Sequence, residues 1–385
     1  MLVAKDQYGN EVVAFNKSME ELDFIRHQPL FCPECHGKVI LKAGQIMTPH
    51  FAHLSQSNCN HYGESEEHLS GKIQLFNWFK QLGYNVTLEQ TLSSINQRVD
   101  LLVKVNHKLI AIEYQCAPIS HSQLLKRTEG LYSLGIKPFW IFGSRYLKLT
   151  GENKLRLSSI LRAAINIYDY KRTLKLFFYN SKQQLMSVAS DFYLIKDKSI
   201  CHLQTYKLKT IRWSDLAKAK LVNRQFLYKE WQKEKLKFRS GQRVYQTNHD
   251  KILMQRLYQL HLHPQNLPSV IHIPIQNDHM FLTPSYIWQT EIVIFIIHPM
   301  KVGEYIYWDE IIKRLKAFLT NFITVCYQSL NNHPVYQFLL TLEKLGFIRR
   351  KSINIFIKMK EFSFHKTLDD AIKEDRRILH KILIE

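Results

Sequence analysis

Asp100 and Glu113 stand in two runs that share the side-chain period of a β-strand. Val99, Leu101, Val103 and Val105 alternate with Asp100, Leu102 and Lys104. After Asn106-His107, Ile110, Ile112 and Tyr114 alternate with Ala111, Glu113 and Gln115. If Asn106-His107 is a two-residue turn, Asp100 lies opposite Glu113 with Cβ atoms roughly 5 Å apart; a three-residue turn shifts the pairing by one. Two carboxylates in an otherwise apolar hairpin have two explanations. Either a hard cation with oxygen ligands neutralises them, or both are solvated on a half-exposed hairpin.

A second set of chemically capable residues lies nearer the amino terminus. Cys32-Pro-Glu-Cys35 is a C-x2-C pair, followed by Val39-Ile40-Leu41-Lys42 and Gly44, which read as a short hairpin. His50-Phe51-Ala52-His53 comes next, with Cys59 and His61 beyond it. This is the ligand pattern of a structural zinc site, completed by His53 with Cys59 or by His50 with His53. A reduced, unliganded cysteine pair is the plainer account. So small a module has little core of its own, and a metal would help hold its shape.

The elements around the hairpin have to position its acids. Residues 64–82 have the period of an amphipathic helix, with Leu69, Ile73, Phe76 and Phe79 on one face and Gly83 as its stop. Glu64, His68 and Lys72 fall four apart on another face, which by itself is also the pattern of an ordinary solvated helix. A first strand runs over 85–89, and the hairpin supplies the second and third. Ser120 can cap a helix over 121–134 that carries Gln123, Arg127 and Leu131, and Pro138-Phe139-Trp140-Ile141-Phe142 makes a buried strand. The order is α-β-β-β-α-β, a meander followed by a crossover into the same sheet. The expected organisation is a zinc-supported module over 1–62, this mixed α/β core over 63–150, and a basic, mainly helical region over 151–385.

The chain of 385 residues carries a formal charge of +20, which suits a polyanionic partner, nucleic acid first and an anionic membrane surface second. Residues 171–256 hold 20 Lys and Arg against 6 Asp and Glu. Within them 216–238 reads as a helix on which Lys229, Lys233 and Lys235 would meet phosphates and Trp231 would stack an unpaired base, a pattern suited to single-stranded DNA. A solvated helical face with its aromatics in the core fits the same residues. Residues 308–327 read as a further helix, 335–345 as a short one, 353–357 as a strand and 369–383 as a last helix. The longest strongly apolar run, 292–297, is too short to span a bilayer, and six scattered cysteines do not form a secreted disulfide framework. A cytoplasmic protein is expected, and without a Gly-rich phosphate loop ATP-driven action is not.

Several motifs in the same order, FCPECHGKVILKAG, PHFAH, ESEEHLSGK, QRVDLLV, IEYQCAPIS and LLKRTEGLYSLGIKPFWIFG, resemble the bacterial competence protein CoiA family, and Asp100 with Glu113-Tyr114-Gln115 resembles the PD-(D/E)xK nuclease superfamily. The resemblance covers roughly residues 25–145. It implies a restriction-endonuclease-like core acting on incoming DNA during natural transformation, alongside recombination or DNA-uptake proteins. Asp100 and Glu113 would then bind Mg²⁺ or Mn²⁺, and Gln115 stands where the superfamily has Lys. Lys72 or Arg127 would have to supply the missing charge. His68 and Glu64 would bind metal through water or steer the nucleophile. The rival reading is a DNA-binding, recombination-assisting protein in which the nuclease fold is only a scaffold.

Overall fold

The hairpin forms in the expected register. A computed structural model of the chain describes residues 1–44, 47–54, 64–167, 174–195, 198–218, 220–240, 248–276, 278–316 and 333–385. Cys59, His61 and the second half of the helix expected over 308–327 lie outside these residues. The described chain forms two compact units. The first comprises Met1–Lys148, Ser159–Ala189 and Leu203–Ala219, and the second Leu149–Ser158, Ser190–His202 and Lys220–Glu385.

In the first unit the amino-terminal elements are β1 (Val3–Lys5), β2 (Glu11–Val13), α1 (Met19–Arg26), β3 (Leu30–Phe31), β4 (Lys38–Lys42) and β5 (His50–His53). Their strands form one sheet in the order β2-β1-β3-β4-β5. Its small core gathers Leu22, Ile25, Leu30, Val39, Leu41 and Phe51.

The core elements follow: α2 (Glu66–Gln81), β6 (Asn85–Leu92), β7 (Gln97–Val105), β8 (Lys108–Gln115), α3 (His121–Ser133) and β9 (Lys137–Gly143). Asn106 (φ 45°) and His107 (φ 66°) both take left-handed backbone, the requirement of a type I′ turn, whose twist matches that of the strands it joins. The β7–β8 pairing from Leu101↔Ile112 to Val105↔Lys108 makes Asp100 and Glu113 the next opposed pair. β6 and β7 are antiparallel, and β9 runs parallel to β8 after the α3 crossover. Ser120 and Gln123 close a capping box at the start of α3.

Beyond residue 150 the chain returns to this sheet. Strand Leu174–Asn180 lies parallel to β9, and Leu185–Ile195 follows it in the strand order. Leu174–Asn180 is an almost unbroken apolar run without the alternation that marks a half-exposed strand, so periodicity passes over it. Leu69, Phe76, Phe79, Leu101, Ile112, Phe139 and Phe177 share one apolar core between α2 and the sheet. Gly71 is required at its helix position, because a Cβ there would fall 2.2 Å from Cε1 of the buried Tyr114 ring.

The second unit is mainly helical. Helix Arg224–Arg239 is capped by Asn223, and helices Asn248–Gln259, Pro334–Lys344 and Leu368–Leu383 accompany it. The apolar run Glu291–Ile297 is a buried π-helical segment. A three-stranded antiparallel sheet of Tyr305–Tyr307, Ile355–Lys358 and Ile348–Ser352, in that spatial order, completes the unit. Among the described residues no helix is long and apolar enough to cross a membrane.

Candidate active site

Asp100 and Glu113 open into one cleft of about 800 Å³, whose lining also includes Glu34, Cys35, Glu64, His68, Gln97, Arg98, Gln115 and Arg127. Asp100 Oδ2 accepts the Tyr114 N–H at 2.9 Å and lies 3.2 Å from His68 Nε2, while Oδ1 is 3.8 Å from Lys72 Nζ. Burial pushes the Asp100 carboxyl up, but His68, Lys72 and the Tyr114 amide together hold it well below the usual carboxylate range. Glu113 moves the other way. Its burial and the nearby Asp100 charge raise its pKa against Arg127, which donates to Oε2 at 2.6 Å, and Gln97, which donates to Oε1 at 3.2 Å.

The helix face spaced by fours is not a solvated one. Lys72 is fully buried behind Asp100 and donates to Glu64 Oε2 at 2.7 Å and to Glu89. Arg98 reaches Glu34 at 3.3 Å, Glu64 at 3.4 Å and Glu89 at 3.9 Å, and the amino group of Met1 lies 3.6 Å from Glu64. The carboxylates of Glu34, Glu64, Glu89 and Asp100 therefore outnumber the two side-chain cations that face them, Lys72 and Arg98, while burial lowers the pKa of the Met1 amine beside Glu64.

Lys72 does not line the cleft, so the expectation that it supplies the charge Gln115 lacks needs correction: its charge is spent on buried carboxylates. Arg127 does reach the cleft, although it is engaged with Glu113 and with the Arg98 carbonyl at 3.0 Å. Gln115 donates its amide to the Ala117 carbonyl at 2.7 Å, closing the loop after β8. On the rim, Lys126 and Arg145 are exposed cations that sequence reasoning passed over.

Glu89, Arg98 and Gln97 were also not expected as site residues. The β6–β7 pairs Leu88↔Leu101 and Gln90↔Val99 place Glu89 opposite Asp100. Its carboxylate also accepts the Leu2 and Val3 amides at 2.9 and 3.1 Å, and its backbone is left-handed (φ 51°), a conformation a non-glycine residue adopts at some cost.

Burial opposes ionisation of Glu64 and Glu89, but Lys72 and Arg98 hold both below the ordinary 4.5, Glu89 at about 2. Groups with depressed folded pKa contribute stability that is complete above their unfolded value and lost as pH falls through the folded one. The urea midpoint is therefore expected to fall on acidification from pH 4.5 toward about 2. Glu89→Gln should flatten that dependence, and an unchanged slope in this variant would show that Glu89 does not carry it.

In the amino-terminal sheet, Cys32, Cys35 and His53 bring their ligand atoms within 4.8 Å of one another. The β4–β5 register pairs Val39 with His53, which sets Nε2 3.2 Å from Cys35 Sγ. His50, at the other end of β5, lies 2.8 Å through Nδ1 from the Thr48 carbonyl and is not part of the group. The Cys32 N–H bonds the Gly37 carbonyl, and His36, with φ 56°, turns the chain back on itself.

The basic helix of the second unit departs from expectation. Trp231 is fully buried and donates its indole N–H to the His272 carbonyl at 2.9 Å. Lys235 is buried too, held by the Ser269 and Ile271 carbonyls and by Asp375 at 2.9 Å. Neither can meet DNA, because one face of this helix packs inward and the other carries its charges. Lys229 and Lys233 are exposed, Lys233 paired with Glu230 at 2.8 Å.

The order α2-β6-β7-β8-α3-β9 gives a mixed α/β fold, and the family comparison assigns it to a nuclease-like domain. Residues 64–221 match the description "Competence protein CoiA, nuclease-like domain", residues 14–62 its N-terminal domain and 226–372 its C-terminal domain. The chain belongs to the competence protein CoiA family. Competence protein CoiA of Bacillus subtilis (strain 168) is 26% identical over 359 residues, covering 91% of this chain and 95% of that protein. Among solved structures, the small subunit of the heterodimeric restriction endonuclease R.BspD6I is similar at 16% identity over 29% of this chain and 62% of that one, with a TM-score of 0.19.

Proposed function

We propose that the cleft hydrolyses phosphodiester bonds of DNA with the help of Mg²⁺ or Mn²⁺, in a cytoplasmic protein that serves natural transformation by processing incoming DNA in support of recombination. The observation that carries this reading is the pairing of Asp100 and Glu113 in one cleft. Two carboxylates, with room for water and phosphate oxygens, suit a hard divalent cation. Bound there, the ion would supply a nucleophile at neutral pH and stabilise charge on the leaving oxygen. His68 and the Tyr114 N–H both fix the Asp100 carboxylate through Oδ2. Arg127, with Lys126 and Arg145 on the rim, supplies the charge that Gln115 lacks.

The test compares labelled single-stranded, double-stranded and branched DNA, in Mg²⁺ and in Mn²⁺, with wild type, Asp100→Ala and Glu113→Ala. DNA binding is followed in parallel. Cleavage lost in both variants with binding retained is the expected result. Tight, salt-sensitive binding by every protein without cleavage by any favours the scaffold reading, to which the turning of Gln115 onto its own loop lends some support.

The cysteine and histidine group fits zinc, since two sulfurs and an imidazole nitrogen are the donors that ion takes. Its role would be structural, holding a module with little core. Metal analysis of the purified protein under reducing conditions should find about one zinc per chain, lost in Cys35→Ser. Absence of zinc from the wild-type protein would remove the site.

A further inference from the structure

The charge and aromatics once expected on helix Arg224–Arg239 have a better counterpart elsewhere in the second unit. Tyr305 and Tyr307 alternate with Ile306 on an edge strand, so both rings stand on one face while Ile306 sinks into the core with Phe356 and Ile348. The two residues are 47% and 45% exposed, and their rings have centroids 6.5 Å apart and planes 32° from each other. In the sheet register Tyr305 lies beside Ile357 and Ile357 beside Arg349, while Tyr307 lies beside Ile355 and Ile355 beside Ser352. Each row thus runs from a ring across an aliphatic side chain to the far strand. That strand carries the exposed run Arg349-Arg350-Lys351. Arg350 is drawn to Glu343, with 3.9 Å between Nε and Oε2, whereas Arg349 and Lys351 have no ion-pair partner among the described residues. Glu304, next to Tyr305, is turned back to accept the Lys301 amide at 3.1 Å.

We propose that this sheet face binds single-stranded DNA, with the Tyr305 and Tyr307 rings each stacking an unpaired base and Arg349 and Lys351 meeting the backbone phosphates. Two neighbouring rings on a core-anchored sheet are a stacking platform for bases of any sequence, and the cationic strand two positions away is where a polyanion would lie. A duplex does not fit, because its base faces are already covered by one another. The proposal rests on the reading of the chain as a DNA-processing protein but does not need its cleft to be catalytic.

The test is a titration of the full chain with fluorescently labelled oligothymidine and with a duplex of equal length. It is run in an Asp100→Ala background without divalent metal, so that absence of hydrolysis has no bearing on the result. Tyr305→Ala and Tyr307→Ala are each expected to weaken single-strand binding about tenfold and to leave duplex binding nearly unchanged. Tyr305→Phe and Tyr307→Phe should bind within about twofold of the parent, because they keep the ring. Arg349→Ala should reduce the salt slope by about one. Single-strand affinity unchanged in the double alanine variant, or lost equally for strand and duplex, would overturn the assignment. Because all these side chains are exposed, the variants should fold as the parent does, and matching thermal melts check this.

Discussion

Replacing Asp100 with alanine is expected to slow DNA cleavage by roughly 10³-fold while DNA binding stays within about threefold. The size follows from what the residue does in the cleft. It is the carboxylate held ionised in the cleft by His68, Lys72 and the Tyr114 amide. A site that loses it loses the fixed anion that would hold the ion, and with the ion both the nucleophile and the stabilisation of the leaving oxygen. Asp100→Asn tests the same point with less disturbance, since the amide oxygen can still accept the Tyr114 N–H. Calorimetric titration with Mn²⁺ should show binding to the wild-type protein and none to either variant. Full cleavage by Asp100→Asn would place the chemistry elsewhere in the chain.

How far the sequence discloses this site depends on which physical signal each residue leaves. The β7–β8 hairpin was legible because alternation and a two-residue turn together determine its register, and Asn106 and His107 take the backbone that turn requires. The helix that presents His68 and the crossover to β9 were legible for the same kind of reason, namely period and caps. Glu89 was not, because reading β6 only as far as residue 89 left no pairing in which to place it against Asp100. Lys72, Lys235 and Trp231 show the opposite failure. Residue type suggested exposed cations and a free ring, but a lysine or an indole can be buried when enough acceptors converge on it, and sequence spacing does not count acceptors. The long strand pairing after residue 173 was missed because a strand buried on both faces has no alternation to read.

The buried lysine supports a second large expectation. Lys72→Met should destabilise the protein by about 3–5 kcal/mol, read as a lowered urea midpoint with little change in slope. The cost does not come from losing a favourable pair. It comes from leaving Glu64 and Glu89 in the interior with only Arg98 and the terminal amine to oppose them, after methionine has filled the space of the lysine stem. The double variant Lys72→Met, Glu89→Gln removes one charge of each sign and should recover most of the loss, because what is expensive is the uncompensated carboxylate. The same pair of variants separates structure from chemistry. If Lys72→Met folded as stably as the wild type but lost cleavage, the ammonium would be acting in the cleft and its burial behind Asp100 would not describe the working site. If the double variant regained both stability and cleavage, Lys72 would be what its surroundings make it, the counter-ion that lets Asp100 stand between strands that carry Glu89 and Glu113.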